Sequence, residues 1–288
     1  MINLKSKTGD KARRSMIGNM MVYGLIGLLA CISMLPLVYA LVNSLKPIDE
    51  LLQFPPRFIV VRPTLDSYKD LFQLVSSLWV PLSRYMFNTM FVTSLGTLGH
   101  VLFASMAAYP LAKHGFPGKK PLFAAIVMAL MFVPSVTFMP LFILMTKLNL
   151  VNTYWALIFP WIGSSLGLFL MKQFIEQIPD QILEAARIDG SSEFRTFFTI
   201  IMPNALPAIM TVILFQFNQM WNYTQSDLVF SESLKMVRTA FEQIAQENSI
   251  VRMGPGSAAS VILMLPPILL FVLLQRKVVE TMTFAGIK

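Results

Sequence analysis

The sequence predicts an all-α polytopic membrane protein, a single transmembrane domain over residues 1–288 with six spanning helices and both termini inside. Three observations predict it. Of the 288 residues, 55% are hydrophobic and 13% charged, with a mean hydropathy of +0.63, far from the composition of a soluble domain. Six stretches, 15–45, 85–112, 121–146, 148–171, 196–226 and 253–275, contain no Asp, Glu, Lys or Arg. Each can hold the ~20 apolar residues that cross a bilayer as a helix. The lysines and arginines between them fall mostly on one side.

The first span is expected at 17–42. It is too long for a signal-peptide core, and Cys31 within it has no lipoprotein-like flank. A single cysteine offers neither a disulfide nor a metal cluster, so it reads as packing. An outer loop follows at 44–84, where Phe54-Pro55-Pro56-Arg57-Phe58 and then Pro63 to Tyr68 suggest an ordered surface segment with one short helix near 67–74. The second span, 85–109, carries a polar stripe of Asn88, Thr89, Thr93 and His100. His100 reads as a hydrogen-bonded packing histidine rather than a proton relay. Gly96, Gly99, Ser94 and Ser105 permit close helix approach there.

The third and fourth spans are expected at 121–145 and 150–172. Pro134 and Pro140 in the third, Pro110 near the end of the second and Pro266-Pro267 in the sixth remove backbone hydrogen bonds and bend their helices. The fifth, 204–226, ends in a cluster from Gln216 to Gln225 that includes Asn218, Gln219, Trp221, Asn222 and Tyr223. Amides in hydrocarbon are costly unless they find partners or a wet cavity, which makes Asn218, Gln219 and Asn222, with Asn88, candidates for a pathway. Trp221 and Tyr223 fit a pathway or an interfacial aromatic belt equally well. A second outer loop, 228–256, carries Glu232, Lys235, Arg238, Glu242, Glu247 and Arg252, with an amphipathic helix expected within 234–250. The sixth span is expected at 257–276.

With the N-terminus inside, the inner segments hold Lys5, Lys7, Lys11, Arg13, Arg14, Lys113, Lys119, Lys120, Lys172, Arg187, Arg195, Arg276, Lys277 and Lys288, and the outer segments hold fewer basic residues. That bias favours N-in and C-in. It also accounts for the net charge of +8 without nucleic acid, the inner share being attracted to anionic lipid headgroups.

The inner segment 175–203 stands out. Asp180 can cap a short helix after Pro179, to which Ile182, Leu183, Ala185, Ala186 and Ile188 give an apolar side. Asp189-Gly190 ends that helix, because glycine accepts the left-handed C-terminal geometry at no steric cost. Ser191 or Ser192 can cap a second helix that runs until Pro203. The result is a helix-turn-helix bracket outside the bilayer.

Glu184-Ala185-Ala186, then Gly190, Ile200 and Pro203, is similar in spacing to the EAA loop of ABC importer permeases, with Asp189 as the common variant and Met202 where leucine is usual. The likeness extends over essentially the whole chain, including the Thr283-Phe284-Ala285-Gly286-Ile287 tail. Within the family the chain most resembles the six-span (MalG-like) member of the pair that imports di- and oligosaccharides. That resemblance implies the type I importer permease fold in a bacterial or archaeal cell membrane. It further implies a second homologous permease, two ATPase subunits that hold the ATP and Mg, and an extracellular or periplasmic solute-binding protein. Glu184, Ala185, Ala186, Asp189, Gly190 and Pro203 would couple to the ATPase. The outer loop at Arg238, Glu242 and Glu247 would meet the binding protein, where the residues alone are equally consistent with a plain solvated hairpin.

No Gly-x-x-x-x-Gly-Lys-Ser/Thr loop occurs in the sequence, nor a metal-ligand spacing, nor a nucleophile elbow, so the chain is not expected to be an enzyme or to hold a cofactor. An ion-coupled transporter would place acidic or basic residues within its spans, and the cores of these spans have none. An ABC permease for a non-sugar solute stays open, since the amide-and-aromatic cluster points only gently to a neutral polyol. Gly190→Asp and Ala186→Trp are expected to uncouple the chain, and Met202→Leu to be silent.

Overall fold

The computed structural model describes residues 16–76, 80–223, 227–246 and 252–285. The described residues are helical throughout their ordered elements, with no strand. α1 (Met16–Ser44), α2 (Ile48–Leu51) and α3 (Asp66–Ser76) precede the long α4 (Leu82–Lys113). α5 (Lys119–Ala129), α6 (Pro134–Lys147), α7 (Tyr154–Ile162) and α8 (Ser165–Glu176) lead to α9 (Asp180–Ile188). α10 (Glu193–Thr196) and α11 (Met202–Asn204) flank a wider turn, and α12 (Leu206–Trp221), α13 (Val237–Gln246) and α14 (Met253–Ala285) complete the chain.

Among the described residues, four stretches are long and apolar enough to cross a membrane: 20–44, 82–113, 154–176 and 253–275. A fifth arises if the bent pair 193–204 and 206–221 counts as one. The expected third span, 121–145, is not a single helix. Pro134 bars its predecessor from helical geometry, Val133 is extended at φ −76° and ψ 137°, and the span divides into α5 and α6 with Pro134 at the start of α6. The expected fourth span also breaks, at Gly163-Ser164, where Ser164 leaves the helical region. The short helix foreseen near 67–74 is α3, and the amphipathic helix foreseen within 234–250 is α13.

α1 is apolar yet exposed over residues 20–39, the surface of a helix bathed in hydrocarbon rather than water. α4 is the central element, packed against α7, α8 and α12, while α14 packs against α1, α3, α12 and α13. One apolar core joins Val101, Ala108, Met171, Ile175 and Val212 to Leu183, Phe197 and Ile201, so the bracket shares the core of the helices around it. A second core, around Leu71, Tyr85, Val237, Phe241 and Ala258, gathers the outer-loop helices α3 and α13 onto α4 and α14. The first outer loop is fastened by polar contacts. Buried Glu50 accepts from the Val61 and Arg62 amides at 3.1 and 2.9 Å, and buried Lys46 bonds Asn43 Oδ1 at 2.8 Å and the Arg57 carbonyl.

His100 is a packing residue. It is 1% exposed, its Nδ1 lies 2.9 Å from the Ile162 carbonyl, and its ring covers Gly167 so closely that a Cβ there would collide with Nε2. Gly167→Ala should therefore lower the melting temperature in detergent by an overpacking cost of about 1–3 kcal/mol. His100→Ala on the same background should restore part of the loss; no change in the single variant would refute the contact.

Candidate functional site

The bracket is built from local chemistry. Pro179, extended at φ −59° and ψ 135°, separates α8 from α9. Asp180 does not cap α9 as expected; it is the first helical residue, and its carboxylate accepts from Lys113 at 2.8 Å. That bond holds the Asp180 carboxyl below the usual carboxylate range. Leu183 and Ala186 face inward at 4% and 6% exposure, whereas Ile182, Glu184, Ala185 and Ile188 face out. The expected apolar side is thus two faces, one feeding the core and one left uncovered. At the C-terminus the Gly190 amide donates to Arg187 O and the Ser191 amide to Ala186 O, both at 3.0 Å, with Gly190 at φ +72°. These are the paired bonds of a Schellman end.

Ser192 caps the next helix, accepting from the Arg195 amide at 3.4 Å. The helix does not stop ahead of Pro203. It widens into a π-helical turn over Phe197–Ile201, which makes room for a residue lacking an N–H, and continues to Asn204. A bend of 76° then leads into α12.

The bracket is also tied to the tip of α4, through residues that the sequence had offered only as topology charges or not at all. Lys113, its side chain 5% exposed, bonds Glu176 O at 3.2 Å, Ile178 O and Asp180. Tyr109 donates to Glu193 Oε2 at 2.8 Å, Arg187 to Glu193 Oε1 at 3.3 Å, and His114 Nε2 lies 3.4 Å from Glu193 Oε2. The Tyr109 hydrogen bond holds the Glu193 carboxyl below its ordinary range; slight desolvation opposes this, and His114 and Arg187 reinforce it. Stability from that depressed carboxyl is present above the ordinary glutamate range and is lost as pH falls through the lowered value. A tyrosine and a lysine one turn apart at the end of a span, facing an acid-bearing inner segment, were the signal available in the sequence.

At the other end of the chain, Asn218, Gln219 and Asn222 are exposed. Asn222 donates to Asn218 Oδ1 at 2.8 Å and accepts from Arg238 at 2.6 Å, and Arg238 bonds Glu242 at 3.1 Å. Candidates from the fifth span and the second outer loop thus meet, on the rim of a cleft of about 380 Å³ floored by Phe241, Ala259 and Leu263. Trp221 is not with them: it is 1% exposed, stacks on Phe217 at 5.6 Å and donates to Leu263 O at 2.8 Å, a contact between α12 and α14. Asn88 is fully buried. It donates to Ser233 O and Lys235 O at 2.8 and 2.9 Å and accepts from Tyr154 at 2.7 Å, pinning the outer loop to α4. Asn88→Ala should cost about 1–3 kcal/mol by stranding those partners, read as a lower melting temperature; an unchanged value would count against the pin. Glu247 and the end of the tail, Gly286-Ile287, lie outside the described residues.

Comparison with known proteins bears on this bundle of apolar helices as a whole. Residues 100–283 match the family described as the binding-protein-dependent transport system inner membrane component. The chain belongs to that family. This permease is 28% identical to the polygalacturonan/rhamnogalacturonan transport system permease protein YtcP of Bacillus subtilis, covering 94% of this chain and 98% of that one. It is 30% identical to the trehalose/maltose transport system permease protein MalG of Thermococcus litoralis, over 91% of this chain and 94% of that one. Its fold matches the crystal structure of a bacterial ABC transporter that imports the acidic polysaccharide alginate, with a TM-score of 0.76 at 20% identity, over 93% of this chain and 99% of that one. The relatives are transport permeases rather than enzymes, and the permease is a multi-pass membrane protein.

Proposed function

We propose that the permease forms half of the translocation pathway of an ATP-driven importer for carbohydrate, an oligosaccharide in particular. A second homologous permease supplies the other half, two ATPase subunits bind and hydrolyse ATP with Mg, and an extracellular or periplasmic binding protein delivers the solute. The chain itself needs no cofactor. The third span is made of α5 and α6 and the fifth of α12, which with the four long stretches gives six crossings, N-in and C-in, with the bracket in the cytoplasm.

The observation that carries this is the uncovered face of α9. Glu184, Ala185 and Ile188 are exposed, Ile188 at 87%, on a nine-residue helix whose opposite face and both ends are fixed to the protein. Such a helix is too short to hold its form alone. Held this way, it offers a partner groove an alanine and an exposed isoleucine beside the Glu184 carboxylate. On the outer side, the exposed amides of Asn218, Gln219 and Asn222, continuous with Arg238 and Glu242, suit hydroxyl-rich cargo and contact with the protein that carries it. Saccharides appear in the names of both curated relatives.

The test is a gentle-detergent pull-down of the N-terminally tagged chain from its native host, with mass spectrometry of what comes with it. An ATPase and a second multi-span protein are expected. The chain alone, stable and monodisperse, would overturn the importer and favour a self-sufficient transporter.

A further inference from the structure

The covalent links between the bracket and the membrane helices are joints. Upstream, α8 and α9 are separated by the extended Pro179; downstream, a 76° bend separates α11 from α12. Neither transmits a push faithfully, since a hinge absorbs rotation in a few backbone angles. The stiff connections are the non-covalent ones to α4. Lys113 bonds three acceptors at once, closing the end of α8 and the first residue of α9 onto α4. Just past the other end of α9, Glu193 takes contacts from α4 (Tyr109), α9 (Arg187) and the residue after α4 (His114). The coupling helix is thus gripped at both ends by one place, the tip of α4.

Resting on the importer reading, we propose that the tip of α4 receives the motion of the coupling helix, with Lys113–Asp180 and Tyr109–Glu193 as its two clamps. Tyr109 and Glu193 are positioning residues: they touch neither cargo nor nucleotide, and they decide whether displacement of α9 becomes displacement of α4. From α4 the movement has a packed route, because α4 lies against α7, α8 and α12, the helix that carries Asn218 at its outer end. A clamp of hydrogen bonds suits this role better than an apolar seam, since its geometry is directional and it tolerates no slip without breaking. The neighbouring apolar contacts, Tyr109 ring on His114 at 5.1 Å and on Phe197 at 5.8 Å, survive loss of the hydroxyl.

The test uses Tyr109→Phe, Glu193→Ala and the double variant in the complete transporter, purified with its co-isolated subunits and reconstituted in vesicles with the binding protein. Three quantities are measured: uptake per ATP hydrolysed, melting temperature, and hydrogen exchange over residues 180–204. Tyr109→Phe should keep its melting temperature and ATP hydrolysis, and Glu193→Ala should keep its ATP hydrolysis and lose no more than the small stabilisation of its carboxyl, while uptake per ATP falls about tenfold in each, a usual size for one coupling. Exchange over 180–204 should rise. The double variant should be no worse than the worse single, because both act on one contact. Unaltered uptake per ATP in both singles, or multiplying losses in the double, would overturn the clamp. A fall in melting temperature that accounts for the lost uptake would also overturn it, in favour of simple stability. Wild-type vesicles without ATP-driven uptake would remove the importer reading and the clamp with it, whereas wild-type uptake matched by the variants removes the clamp alone.

Discussion

A permease carrying tryptophan at Ala185 should insert, fold with an unchanged melting temperature and fail to import. Ala185 sits on the uncovered face of α9 between Glu184 and the outward Ile188. Substitutions at exposed positions usually change stability by within about 0.5 kcal/mol, so the isolated chain should not register the indole. If that face enters a fitted groove of the assembled transporter, as proposed, overpacking there costs about 1–3 kcal/mol or more and the helix cannot seat. ATP-driven uptake in vesicles should fall by roughly the 5- to 150-fold that a lost coupling of this size gives. Normal uptake by Ala185→Trp would show that this face docks nowhere. The adjacent Ala186→Trp makes the control. Both alanines were expected to serve an approaching surface, but Ala186 is 6% exposed and packs with Leu183 toward the core that includes Phe197 and Ile201. Tryptophan there should depress the melting temperature of the chain itself, before any partner is involved. One residue apart on the helix, the two variants separate docking from folding.

That difference shows what was legible in the sequence. The helical class, the existence of the bracket, its glycine turn and the serine cap depend on local chemistry, and each stands where the residues placed it. Asp180 was legible as an acidic residue at a helix start, but its choice of Lys113 over the backbone depends on a lysine that is distant in sequence and 2.8 Å away in space. The split of the third span at Val133-Pro134 was half legible: a proline was flagged as a bend, while the full break needed the extended geometry it forces on its predecessor. Asn88 and Trp221 were legible only in part, because an amide or an indole in an apolar helix signals a polar need without saying who meets it. Here a loop carbonyl meets one and the Leu263 carbonyl on a neighbouring helix meets the other. Asn222, Arg238 and Glu242 were named separately in two segments, and only the packing of α13 on α4 and α14 brings Arg238 to Asn222.

Valine at Gly190 should give a chain that is made and inserted but does not couple ATP hydrolysis to uptake. Gly190 has φ +72°, the left-handed region that costs a residue with a Cβ about 1–2 kcal/mol. Nothing lies within 4 Å of where that Cβ would stand, so the penalty comes from the backbone alone, without crowding inside the chain. The turn can escape the strain only by giving up the bonds from the Gly190 and Ser191 amides to Arg187 and Ala186. Those two bonds set the angle at which α10 leaves α9, and hence the reach of Glu193 back to Tyr109. A β-branched side chain is the hardest to keep in that geometry, and asparagine the easiest after glycine. Uptake per ATP should therefore rank glycine, then asparagine, then aspartate and alanine, with valine last, while the melting temperature moves much less because the bulk of the core lies among α4, α8 and α12. Steric collision with a groove would give another order, in which alanine, the smallest, is nearly silent and asparagine, aspartate and valine fail alike. An asparagine variant that imports better than the alanine variant would place the cause in the turn; the reverse order would place it in the groove and remove the strain account.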